Sequence, residues 1–95
     1  MGELSEMMLA RLREQQPQTI AAAIARTREA RQHSGEPNVA WSMGEKLLNA
    51  LVLEREDQLA ALEHTRQDAV ERVRWDFGVT DDEFPAVLEQ IRDGL

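Results

Sequence analysis

A chain of 95 residues, 42% of them apolar, allows one globular domain with a modest core. The lack of cysteine excludes disulfides, thiolate metal sites and thiol catalysis, and a formal net charge of −7 argues against general affinity for nucleic acid. The opening residues hold no basic stretch leading into an apolar core, and no apolar run approaches the ~20 residues of a membrane span, so a soluble cytoplasmic protein with no membrane partner is expected.

The pattern predicts an all-α fold, a helical hairpin or small four-helix bundle forming a single domain over 1–95. The first helix covers about 4–15, where Leu4, Met8 and Leu12 recur at four-residue spacing and Met7 and Leu9 widen the stripe. Gln16 before Pro17 disfavours helical geometry, so a break or marked kink leads into a second helix at about 18–32. There Ile20, Ala23, Ile24 and Thr27 share a face, and the neighbouring alanines favour helix. His33 to Asn38 reads as a loop, with Asn38 able to cap the third helix and Trp41 and Met43 in that helix's first turns.

No proline intervenes between Asn38 and Phe77, so one long central helix is expected from 39 or 45 to 76. It would be roughly 48 Å long at 1.5 Å per residue, more than the remaining chain can cover. Leu47, Leu48 and Ala50 to Leu53 are apolar nearly all round, as in a helix enclosed by others. At heptad spacing the seam reads Leu48, Val52, Arg55, Leu59, Leu62, Arg66, Ala69 and Val73. The two arginines either set register against acids of a facing helix or snorkel to water.

Val73 to Phe84 spells one helix stopping and another starting. Gly78 suits the left-handed position after a helix end, with Val79 placed to press back on Val73. Thr80 and Glu83 have the spacing of a capping box, flanked by Val79 and Phe84 as a hydrophobic staple. A short C-terminal helix over 81–93 then folds back at Gly78, with Phe84, Val87, Leu88 and Ile91 on its apolar face.

The residues offer little for catalysis. His33 and His64 are isolated imidazoles, the glycines are too scattered for a phosphate loop, and none of the three serines sits in a nucleophile motif. No catalytic residue, cofactor, metal ligand or small-molecule substrate is expected, and the protein is read as a non-enzyme. Trp41, Trp75, Phe77 and Phe84 are the only aromatics and the candidate anchors, with Trp75, Phe77 and Phe84 expected to pack the corner.

Charge is uneven. Residues 1–48 carry six acids and six bases, whereas 49–95 carry twelve acids and five bases, so the whole −7 lies in the second half. Asp76, Asp81, Asp82, Glu83, Glu89 and Asp93 form a candidate acidic surface. These features point to a protein-interaction or regulatory module, a homodimer joined through the long helix. The alternative is an acidic inhibitor that imitates nucleic-acid charge at a basic site on a larger complex. A weaker one is a small DNA-binding regulator using Arg26, Arg28 and Arg31.

Overall fold

In the computed structural model, residues 2–95 are described, with side chains from Glu6 onward, and every regular element among them is helical. Leu4, a member of the first apolar stripe, lies outside the described side chains. Helices α1 (Gly2–Glu14) and α2 (Gln16–Arg31) are separated by Gln15 alone, and Pro17 falls in the first turn of α2, where its missing N–H costs nothing. Ile20, Ala23, Thr27 and Ala30 form the buried face of α2 at alternating three- and four-residue spacing. No helix is long and apolar enough to cross a membrane among the described residues.

Helix α3 (Met43–Val52) begins later than Asn38. The Asn38 side chain accepts from the Ala40 amide at 2.8 Å and closes a turn within the loop, leaving Trp41 before the helix. Ser42 is the cap, its hydroxyl accepting from the Glu45 amide at 3.2 Å while Glu45 Oε1 accepts from the Ser42 amide at 2.9 Å. Six consecutive residues, Leu47 to Val52, are buried. A helix can hide all sides only if other elements surround it, and α3 packs against α2, α4, α5 and α6.

The expected long central helix does not exist. After α3 the chain forms α4 (Glu56–Ala61), α5 (Arg66–Val73) and a 3₁₀ turn (Arg74–Phe77). Both interruptions are Schellman closes with glutamate in the seat glycine usually takes. Glu54 has φ +55, its amide bonds to Leu51 O at 3.3 Å and the Arg55 amide bonds to Ala50 O at 2.9 Å. Glu63 repeats the geometry at φ +59, with its amide on Ala60 O and the His64 amide on Leu59 O, both at 3.0 Å. Thr65 then caps α5, its hydroxyl accepting from the Asp68 amide at 3.1 Å.

These breaks turn the expected outward seam inward. Leu48, Val52, Leu59, Ala69 and Val73 all lie in the core of the single chain, and Leu62 packs against it half-buried. Arg55 and Arg66 keep solvent contact and make surface ion pairs, with Asp57 and Glu36 and with Glu56. Five of the eight seam residues are thus covered from within the chain, and Arg55, Leu62 and Arg66 keep exposure.

At the corner, Gly78 has φ +67 and Val79 is buried, while Phe77 and Phe84 pack with ring centroids 6.0 Å apart. Trp75 is not part of that packing; it is 48% exposed, and the Arg74 guanidinium lies 4.2 Å from its ring centroid. Thr80 and Glu83 exchange both capping-box bonds, at 2.9 and 3.3 Å, but they fasten a turn ahead of α6 (Phe84–Asp93). Helix α6 buries Phe84, Val87, Leu88 and Ile91, and Arg92 donates to Val52 O at 2.9 Å and Leu51 O at 3.0 Å. A cation thereby meets the carbonyl end of α3, where the helix dipole favours it.

Two substitutions test this backbone. Glu63→Gly removes a left-handed strain of about 1–2 kcal/mol and is expected to raise or leave unchanged the chemical-denaturation midpoint, whereas inside a continuous helix it would cost about 1 kcal/mol. Gly78→Ala is expected to destabilise by at least that strain, because the new Cβ would lie 2.7 Å from Leu9 O and 3.0 Å from Leu12 Cβ. Thermal melts of both variants read the signs directly.

Candidate interaction surfaces

Helix α1 is fastened at its C-terminal end, and the first residue of α2 adds to the hold. Arg13 Nε donates to Gly78 O at 2.6 Å, Gln16 Nε2 to Phe77 O at 2.9 Å, and Arg13 pairs with Glu83 at 3.0 Å. Leu9 and Leu12 are half-buried. One turn earlier the apolar side chains lie open, Met7 at 61% and Met8 at 65% exposure. The 3₁₀ turn bearing Trp75 packs beside α1, so the exposed indole and the methionines belong to neighbouring elements.

The six carboxylates of the candidate acidic surface are not gathered into one free field. Asp81 pairs with Arg74 at 2.7 Å, Glu83 with Arg13, and Glu89 with Arg92 at 2.9 Å. Desolvation pushes the Asp76 carboxyl above its ordinary range against the pull of Arg26, with Glu45 adding to the rise, although the residue retains surface exposure. Asp82 and Asp93 are exposed. The arginines expected to meet phosphate are also engaged: Arg26 pairs with Glu45 at 3.4 Å, and Arg28 donates to Gly94 O at 2.6 Å. Arg31 is exposed in the last turn of α2.

The loop between α2 and α3 is held by a polar set that no periodicity reveals. Gln58 Nε2 and Asn49 Nδ2 both donate to Gly35 O, at 2.8 and 3.2 Å, and Asn49 also donates to Gln58 Oε1 at 3.2 Å. Both amides are buried, and Asn49 Oδ1 has no hydrogen-bond partner among the described residues. Arg55 adds a bond to Ser34 O and an ion pair to Glu36, each at 3.2 Å, while gripping Asp57 with two bonds of 2.7 and 2.8 Å. The bonds from the Arg55 guanidinium lower the Asp57 pKa from the usual carboxylate value. Gly35 sits at φ +81, and Ser34 before it at φ +59.

That fastened loop is a ridge with Val39 at its crest, 89% exposed. On one side lies a cavity of about 280 Å³ whose lining includes Glu29, His33, Pro37 and Trp41. A second, of about 230 Å³, is bounded by Pro37, Lys46 and Leu62. Of the four aromatic anchors, Phe77 and Phe84 serve the core, Trp41 lines the first cavity and Trp75 stands at the surface. Among the described residues no three His, Cys, Asp or Glu side chains gather as a metal site. His64 Nδ1 lies 2.7 Å from Leu62 O.

Comparison with family models, with curated proteins and with solved structures finds no match to this chain.

The two capping boxes predict a pH response. The Ser42 amide chiefly, with Arg26 and the Ser42 hydroxyl, lowers the Glu45 pKa, and the Thr80 amide and hydroxyl, with Arg13, lower that of Glu83. Folded values below the unfolded ones mean that this stabilisation is complete above the unfolded value of about 4.3 and is lost as the pH falls through the folded values. Glu45→Ala and Glu83→Ala are therefore expected to lower the melting temperature at neutral pH and to change it much less in strong acid, as followed by far-ultraviolet circular dichroism.

Proposed function

We propose that the protein is a non-catalytic interaction module that self-associates through α1, two copies pairing antiparallel across a twofold axis. The observation that carries this reading is the pair Met7 and Met8, more than half exposed on a helix whose following turn is fastened to the body. Methionine suits such a contact because its unbranched thioether adapts to the surface it meets. A twofold axis passing between Met8 and Leu9 sets Glu6 of one copy opposite Arg11 of the other, and both residues are exposed. The two Glu6–Arg11 pairs of that register, with the exposed methionines between them, support a second copy as the occupant.

The alternative of an acidic decoy for a basic site has less to present, because Asp81, Glu83 and Glu89 are matched by arginines of the same chain. Leu48, Leu59 and Val73 lie in the core of one chain, which favours α1 over the heptad seam as the pairing element.

Sedimentation equilibrium at micromolar concentration is expected to return a dimer mass for the unaltered chain. Met7→Glu with Met8→Glu is expected to give monomers of unchanged helical content. Leu59→Glu places a charge in the core and is expected to unfold the chain, a loss of several kcal/mol. A monomer for the unaltered chain at every concentration, or a dimer that survives both glutamates, overturns the proposal.

A further inference from the structure

We infer that the cavity beside the 35–41 loop is a receptor for an arginine side chain on an exposed segment of a partner protein. Its size suits that occupant: about 280 Å³ falls below the range of sites for drug-sized ligands, about 300–1,000 Å³, and is ample for one long side chain. Its walls match in chemistry. Trp41 contributes the kind of aromatic side chain on which a guanidinium stacks best, Ala30 and Pro37 add apolar lining for its aliphatic stem, and Glu29, Glu36 and His33 are the ionisable residues of the lining. No lysine or arginine lines this cavity among the described residues, so the site carries negative charge without an internal cation in its lining.

Glu36 does lean on Arg55, but through Oε1 at 3.2 Å, and its side chain keeps 60% exposure. Glu29 is exposed in the last turn of α2, and it makes no ion pair among the described residues. A guanidinium stacked on Trp41 can therefore face both carboxylates without displacing the contact that Glu36 already makes. A lysine ammonium would supply charge but not the planar fork that pairs with a carboxylate while stacking on a ring.

The wall facing α2 is preformed. Two buried amides and one guanidinium converge on Ser34 O and Gly35 O, and the Asn38 side chain closes the next turn. A loop held this way loses little freedom on binding, which is how a small site gains useful affinity. The cavity is built from one chain, so its occupancy is independent of the α1 pairing, and the two proposals fail separately.

The probe is the peptide acetyl-Gly-Arg-Gly-amide, with its citrulline counterpart as a neutral isostere, titrated into ¹⁵N-labelled protein. The expected result is a saturable shift of the Trp41 indole resonance with the arginine peptide and none with citrulline. Glu29→Gln is exposed and leaves the core untouched; it should weaken binding about two- to five-fold, the scale of one exposed ion pair. Added salt should weaken binding in the unaltered protein more than in the variant. No saturable shift, an equal response to citrulline, a response confined to the Trp75 indole, or an unaltered affinity in Glu29→Gln each overturns the inference.

Discussion

The enclosure of α3 is the constraint to which the other helices answer. Six buried residues in succession leave α3 no side to offer to water, so the segments after it must return and wrap it. A straight rod would carry Leu59, Ala69 and Val73 away from that core. The chain instead adopts two left-handed glutamates, at about 1–2 kcal/mol each, and brings those side chains home. Burying one leucine or valine stabilises by about 1.5–3 kcal/mol, so burial of Leu59 and Val73 together, about 3–6 kcal/mol, is at least of the size of the backbone strain of about 2–4 kcal/mol.

The helical class and its buried faces are legible in the sequence where spacing and enclosure agree. Ile20, Ala23 and Thr27 on α2, the all-round apolar run of α3, and Phe84, Val87, Leu88 and Ile91 on α6 are where the periodicity puts them. The breaks at Glu54 and Glu63 are not, because glutamate is a good helix former and neither glycine nor proline marks the place. A signal is nonetheless present. Ser42 with Glu45 and Thr65 with Asp68 both have capping-box spacing, and each announces a new helix start. Thr65 taken as a cap halts the long helix before Arg66, and the heptad seam does not survive that stop.

The candidate sites divide in the same way. Met7 and Met8 widen an apolar stripe, and nothing in one helical period tells which part of α1 the body reaches. That depends on Gly78, whose lack of a side chain lets the α1 backbone approach within contact distance of the corner. The loop site is hidden for another reason: Asn49 and Gln58 are ordinary polar residues in sequence, nine apart, and only the return of α4 beside α3 sets their amides on one carbonyl. Buried amides of this kind contribute more to defining one loop conformation than to net stability, since each bond made replaces one to water.

The grip of Arg92 on the carbonyls of Leu51 and Val52 spans some forty residues, and it has a consequence for how the protein is made. During translation the greasy middle of the molecule leaves the ribosome well before the segment that shuts it in. Until α6 has emerged, Leu47 and Leu51 lack one of their covers, and a nascent chain in that condition attracts chaperones and other unfinished chains. Arrival of α6, rather than emergence of α3, sets the moment at which this core can close.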